Sequence, residues 1–372
     1  MFIPTVFDQI NEPTLILDAY KTRRNIWKMT QKVKAAGIRF RPHFKTHQSA
    51  TIGEWFREEG VDCITVSSIE MAQYFANHGW KDITIAFPVN LRQIPALDAL
   101  AEQVRLGLLV ENREAIQALS QGLHHPVNVW IKIDTGSQRT GLPWDQPTRI
   151  LSLLTEISRN PKLRLQGLLT HSGNTYGGLQ PAQVVENFRA GVDRLNWLRS
   201  QIPNQGSTDL QISVGDTPGC TLCQDFSAID ELRPGNFVFY DAMQAEWGVC
   251  DWHDVAVVVA CPVVAIHPER NTLVLYGGAI HLSKDYYEVN GERCYGRIGL
   301  PADGGWSDPL VGARLVSLSQ EHGIARLSPE HLERIKVGDL VCVYPAHSCL
   351  TVSALGRYTN LFGEQVSTLV RK

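Results

Sequence analysis

Ile38-Arg39-Phe40-Arg41-Pro42-His43-Phe44-Lys45-Thr46-His47 is the stretch from which the fold is read. Ile38–Phe44 is a strand-type run, and it ends in a cluster of cations and imidazoles. Seven further strand candidates follow: Cys63–Ser67, Ile83–Phe87, Leu106–Val110, Val127–Asp134, Leu165–His171, Gln211–Val214 and Asn236–Tyr240. Amphipathic stretches with helical spacing lie between most of them, as at Tyr20–Ala36, Ile69–His78, Arg113–Leu119, Gln146–Arg159 and Gln180–Gln201. Strands alternating with helices over roughly 200–250 residues predict a (β/α)8 TIM barrel. An open doubly wound sheet shares the alternation but needs a reversal of strand order.

The texture changes near residue 250. The run VAVVVACPVVAIHPERNTLVLYGGAIHLS (255–283) and the run LVCVYPAHSCLTV (340–352) are β-rich, broken by turn residues, with no helical pattern between strands. An all-β domain is expected from Asp251 to Lys372, with the boundary near 245–250.

Composition narrows the class. The 372 residues are 44% hydrophobic and 20% charged with a net charge of −3, so there is no basic footprint for nucleic acid or anionic membranes. No apolar run approaches the roughly 18–20 residues that span a bilayer. The start MFIPTVFDQINEPT has neither a cationic leader nor an apolar core. The eight cysteines are too sparse for a disulfide scaffold and read as reduced thiols of a cytoplasmic protein.

In a barrel, functional groups gather at the C-terminal ends of the strands. The ends here carry RPHFKTH (41–47), KIDTGSQRTG (132–141), LLTHSGNTYGG (168–178), SVGDTPGCT (213–221) and ELRPGNFVFYD (231–241). Basic, hydroxyl-bearing and glycine-rich termini suit an anionic, phosphorylated cofactor. Lys45, partly desolvated and close to Arg41 and histidines, has the setting that frees an amine for a Schiff base; a lone loop lysine would otherwise be a solvated surface group. The turn Gly215-Asp216-Thr217-Pro218-Gly219 can form an anion nest with help from Thr217, or can be a plain tight turn. If residues 344–349 are extended, His347 and Cys349 point to one face, and imidazole with thiolate suits Zn²⁺. The bland alternative is a buried cysteine beside an incidental histidine. Cys220 and Cys223 make a lone CxxC without a partner motif, and a structural role is the simpler reading. Arg139 and His171 each end a strand.

Taken together, these elements resemble the fold-type III pyridoxal 5′-phosphate (PLP) enzymes, in the D-threonine aldolase and D-serine dehydratase group of the alanine-racemase-like superfamily. The resemblance runs from EPTLILD (12–18) through RPHFKTH, DTGSQRTG, THSGNTYG, SVGDTPG and LRPGNFVFYDAMQ to PAHSCLTV. It implies a PLP-binding barrel over 12–248 and a β domain over 249–372 with residues 1–11. It implies Lys45 as the Schiff-base lysine, Arg139 by the cofactor's phenolate oxygen and His171 by its pyridine ring. Gly215, Thr217 and Gly219 would hold the phosphate, with Tyr240 near it, and Tyr176 belongs to the cofactor-binding set. His347 and Cys349 would be ligands of a divalent metal, Zn or Mn. A head-to-tail homodimer is implied, each site completed by the partner's β domain. Gln48 and Leu350 depart from the family's usual residues.

The expected substrate is a D-3-hydroxy amino acid: D-threonine, D-serine, D-3-hydroxyaspartate or a bulkier analogue. Retro-aldol cleavage and β-elimination both remain open, and the His-x-Cys pair leans to the dehydratase. His43, His47, His171 and His322 are candidates for the base of an aldolase. An alanine racemase needs PLP and two bases but no metal, and the His347/Cys349 pair speaks against it. A non-catalytic PLP carrier resembles the barrel alone, and the residues beyond Asp251 speak against that.

Overall fold

The computed structural model describes residues 4–202 and 210–369. The chain divides into two compact units, Lys28–Gly235 and Met1–Trp27 with Asn236–Lys372.

The first unit is built on parallel strands β1 (Arg39–Phe40), β2 (Ile64–Val66), β3 (Asp82–Pro88), β4 (Arg105–Val110), β5 (Val127–Asp134), β6 (Leu163–His171), β7 (Gln211–Gly215) and β8 (Glu231–Leu232). They run in the order β1-β8-β7-β6-β5-β4-β3-β2. The two ends meet: His43, just past β1, bridges Thr65 of β2 in parallel. Thr65 N donates to Pro42 O and Phe44 N donates to Thr65 O, both at 2.9 Å. The sheet therefore closes into the barrel that the alternation predicts, with no reversal of order. Helices follow the strands at Ala50–Glu58, Ile69–Asn77, Ile94–Ala101, Arg113–Gly122, Pro147–Ser158, Pro181–Ser200 and Thr217–Leu222. Several start where the sequence supplies a cap: Ser68 Oγ accepts from Met71 N, and Asn112 Oδ1 from Ala115 N.

Parallel strands are covered on both faces, so they read as nearly continuous apolar runs; Val127–Ile133 is buried at every position. Arg41 and Glu231, which enter this interior, are paired. Arg41 Nε lies 2.6 Å from Glu231 and Arg41 Nη1 2.5 Å from Asp82, tying β1's end to β8 and β3. Glu231 also accepts from Ser213 Oγ at 2.7 Å.

Two strand boundaries differ from the sequence reading. The regular part of the first strand is only Arg39–Phe40, although Arg41 N and His43 N still donate to Leu232 O and Pro234 O at 2.9 and 2.8 Å; Pro42 has no N–H to add to the ladder. The eighth strand is Glu231–Leu232, in register with Ser213 and Val214 on one side and Arg39 and Phe40 on the other. The expected strand Asn236–Tyr240 is instead a buried 3-10 turn, Asn236–Val238. Its apolar run is buried on all sides, and such a run has no period to separate strand from turn.

The second unit is mainly an antiparallel sheet. Its strands are Thr14–Leu17, β9 (Val257–His267), β10 (Thr272–Tyr276), β11 (Gly296–Gly299), β12 (Arg314–Leu318), β13 (His322–Arg326), β14 (Leu340–Pro345), β15 (Arg357–Asn360) and β16 (Gln365–Ser367). The order is β10-β13-β12-β11-β14-β9, then Thr14–Leu17, β15 and β16. Central strands are apolar on both faces: Val257, Val258, Val259, Val341, Cys342 and Val343 are all fully buried. Short helices interrupt the sheet at Ala242–Glu246, Ala279–Leu282, Pro329–Leu332 and Ser348–Leu355. Among the described residues no helix is long and apolar enough to cross a membrane.

Candidate active site

In the barrel unit the chemistry gathers where β1, β5, β6 and β7 end. Lys45 lies in the turn that follows the His43–Thr65 bridge, with its side chain exposed. The turn is pinned by Gln48, whose backbone is in the left-handed region at φ 50°. Gln48 Nε2 donates to Lys45 O at 3.0 Å.

Two imidazoles flank this amine electrically. Burial, then the charges of Lys45, Arg233 and His171, hold His43 well below the usual histidine range. Burial, then Lys45, Arg139 and Lys132, do the same to His171. Both rings are therefore neutral, and their partners set the tautomers. His171 Nδ1 donates to Gly215 O at 2.5 Å, which leaves Nε2 as an acceptor. His43 Nδ1 accepts from Lys45 N at 3.3 Å, so its proton sits on Nε2. Arg139 is exposed in the loop after β5.

The Gly215–Gly219 turn opens the Thr217–Leu222 helix, with Asp216 as its cap. Asp216 Oδ1 accepts from Gly219 N at 2.5 Å and from Thr175 Oγ1 at 2.9 Å, while Oδ2 is buried with no partner. Burial pushes this carboxyl up to about 7. Thr217 N donates to Tyr176 Oη at 3.1 Å. The amides of Thr217 and Gly219, expected to form an anion nest, are thus engaged by protein partners. Tyr176 is drawn into the same spot.

Two groups escaped the sequence reading. Lys132 sits inside the barrel on β5, 4% exposed, with Nζ donating to Ile133 O at 3.0 Å. Burial, then Arg233, lower it to about 7. Arg233 is buried beyond β8, with Nε donating to Ser213 Oγ at 2.6 Å and Nη2 to Thr170 O. Lys132 stands in a run that reads as strand, where a polar residue gives no sign of facing inward, and Arg233 precedes the run Asn236–Tyr240 that reads as the eighth strand.

The remaining histidine candidates separate. His47 is fully buried in an aromatic cluster, its ring 4.3 Å from Phe44 and 5.6 Å from Phe56 between centroids. His322 is exposed on β13 of the second unit. Cys220 and Cys223 are buried free thiols, with burial raising both and Cys223 reaching about 11. Neither is an activated thiol.

His347, Cys349 and Tyr240 belong to the second unit. The segment that carries the pair is not extended throughout. β14 stops at Pro345, His347 caps the helix Ser348–Leu355, and Cys349 is in its first turn. The shared face expected from strand geometry is therefore provided by a cap and a first turn. The imidazole and the thiol are in hydrogen-bonding contact, and Cys349 is 7% exposed. Asp285 Oδ2 accepts from His347 Nδ1 at 2.6 Å. Burial would lower His347, but Cys349, Asp285 and Asp241 prevail and raise it to about 11. Asn236 Nδ2 reaches Asp241 Oδ2 at 2.7 Å, Ser348 Oγ at 2.9 Å and Cys349 Sγ at 3.6 Å, while Asn236 Oδ1 is buried with no partner. Among the described residues no group of three or more His, Cys, Asp or Glu side chains could hold a metal ion. Tyr240 is nearly buried at φ 51°, a left-handed conformation uncommon for an aromatic residue.

Comparison with known proteins fits this division. The alanine racemase N-terminal domain family matches residues 17–242, and a serine dehydratase domain family matches residues 256–361. The chain is 28% identical to the D-serine dehydratase of Dictyostelium discoideum over 94% of this chain and 93% of that one. It is 29% identical to the D-threo-3-hydroxyaspartate dehydratase of Delftia sp. (strain HT23) over 95% and 94%. The solved structure of the Delftia enzyme covers 98% of both chains with a TM-score of 0.88. A cysteine-to-alanine variant of that enzyme has been solved in a metal-free form.

Proposed function

The chain belongs to the alanine racemase N-terminal domain family, extended by a serine dehydratase domain, and from that premise we propose that it eliminates water from D-3-hydroxy amino acids as a PLP- and divalent-metal-dependent lyase. The observation that carries the reading is the company of Lys45: an exposed amine in the turn whose backbone N–H donates to His43 Nδ1 at 3.3 Å, close enough in charge to both His43 and His171 to help hold those rings neutral.

These residues fit PLP. The mouth offers Lys45 for the cofactor's aldehyde. It offers Arg139 for the cofactor's phenolate oxygen and the Gly215, Thr217 and Gly219 turn for the phosphate, where Thr217 N–H would exchange its Tyr176 Oη partner for a phosphate oxygen. When bound, the cofactor draws off the electron pair of a bond broken at the substrate's Cα. The chain supplies proton handling and orientation. Lys45 Nζ would hold the cofactor's aldehyde and is the amine placed to accept the substrate's Cα proton. His171, its Nδ1 fixed on Gly215 O, presents Nε2 as a neutral acceptor, so no second cation competes with Arg139 there.

His347 and Cys349 fit a divalent ion. One imidazole nitrogen and one thiolate suit Zn²⁺ or Mn²⁺, and two protein donors leave coordination sites for water and substrate. A metal held there supplies Lewis acidity for the departing 3-hydroxyl. The thiol, together with the two dehydratases, favours elimination over retro-aldol cleavage.

The working assembly we assign is a homodimer. In that assembly the partner would cover the exposed apolar side chains of Ile280, Tyr286 and Leu350. Eight free cysteines suit a reducing, cytoplasmic setting.

The test is direct. The purified chain, supplied with PLP and Zn²⁺ or Mn²⁺, is given D-serine, D-threonine and D-threo-3-hydroxyaspartate in turn. Keto acid with ammonia is expected; aldehyde with glycine, or neither product, overturns the reading.

A further inference from the structure

Behind His347 the sheet unit carries a built support. The helix Ala279–Leu282 ends at Ser283, which holds φ 67° and ψ 179°. A positive φ at a residue with a Cβ is costly, and it persists only where its surroundings enforce it. Two residues on, Asp285 N donates to Ser283 Oγ at 3.2 Å, and its carboxylate Oδ2 meets His347 Nδ1 at 2.6 Å. The same segment grips the helix that carries the pair, because Thr351 Oγ1 reaches both Leu282 O at 3.2 Å and His347 O at 3.1 Å. Asp285 and His347 are 62 residues apart in sequence, so this contact is made by tertiary folding.

A carboxylate behind a histidine fixes which ring nitrogen carries the proton and where the other points. With Nδ1–H committed to Asp285, Nε2 is the nitrogen offered on the Cys349 side. We propose that Asp285 is a positioning residue: it holds His347 in the tautomer and orientation that bind the metal, and so sets the affinity of the site. The proposal rests on the reading of His347 and Cys349 as metal ligands. Asp285 itself is not a ligand on this account.

The experiment measures metal binding, not turnover. The full-length PLP-loaded protein is stripped of metal and titrated with Zn²⁺ alone against a chromophoric chelator. Wild type, Asp285→Ala, Asp285→Asn and His347→Ala are compared, with circular dichroism and the thermal midpoint of each stripped protein as the fold control. Asp285→Ala is expected to weaken Zn²⁺ binding by roughly 10–100-fold. Asp285→Asn, which keeps an acceptor for Nδ1–H, recovers part of that loss, and His347→Ala loses more than either. Unchanged affinity in Asp285→Ala overturns the proposal. Equal losses in Asp285→Ala and Asp285→Asn, on folded protein, overturn it too, since that pattern belongs to a direct ligand. A wild type that takes up no Zn²⁺, or a His347→Ala protein that binds as wild type does, overturns the metal reading itself and is recognisable as such.

Discussion

His171 in the barrel unit and His347 in the sheet unit each give an Nδ1 proton to an oxygen, yet their surroundings are opposite. The acceptor for His171 is a neutral carbonyl, Gly215 O, and its other neighbours are Lys45, Arg139 and Lys132. The acceptor for His347 is a carboxylate, Asp285, with Cys349 and Asp241 beside it. Burial, helped by cations, holds the first ring neutral; anions make the second basic. On the proposed reading, a region rich in cations suits an anion such as a phosphate or a substrate carboxylate. On the same reading, a region of anions and a soft donor suits a metal ion. One chain thus prepares two opposite fields, one in each of its compact units.

The largest break in this comparison removes the amine. Lys45→Ala should abolish elimination, a loss on the order of 10⁴-fold or more, because both the anchor and the proton acceptor go. Product formation under saturating PLP measures it. Next comes the anionic side: exhaustive chelation, or Cys349→Ala, should cut turnover by roughly 10²-fold while cofactor absorbance persists, and Zn²⁺ should restore only the chelated wild type. Retained activity after chelation would put the racemase reading back.

A smaller effect sharpens the barrel side. His47, fully buried, is lowered by burial to about 3, against 6.5 when unfolded. The unfolded chain then binds the extra proton between these values, so stability is whole above about 6.5 and declines as pH falls toward 3. The loss is on the order of a few kcal/mol, and urea midpoints across that range measure it. His47→Phe should flatten the slope. Asp216 gives the opposite sign. Raised to about 7 by burial, it holds a proton that the unfolded chain releases, so stability falls as pH rises from about 4 to 7. Asp216→Asn should remove that slope. The smallest effect is at Tyr176: Tyr176→Phe loses the hydroxyl that accepts from Thr217 N and should weaken PLP retention several-fold, about 1 kcal/mol.

The parts of this design that a linear reading could reach are those with a period or a clustered motif. Strand and helix alternation gave the barrel, and the crowded termini gave Lys45, Arg139, His171 and the 215–219 turn. Strand β8 was out of reach because two paired residues leave no period, whereas Phe237-Val238-Phe239 looks like a strand and is a buried turn. His347 and Cys349 stand out by residue type, and the extended geometry that would align them is replaced by a cap followed by a first turn, which brings such side chains together as a strand also would. Asp285 lies outside every quoted motif, and Lys132 and Arg233 lie inside quoted stretches without being singled out. Their meaning comes from partners distant in sequence or from facing the inside of a closed barrel.

The central claim is that the Lys45 nitrogen bonds the cofactor. PLP is added to the purified protein, the adduct is trapped with borohydride, and the digest is mapped by mass. The account predicts a pyridoxyl group on Lys45 alone, absent from Lys45→Ala. A label on Lys132 or on another lysine, or no label at all, contradicts it.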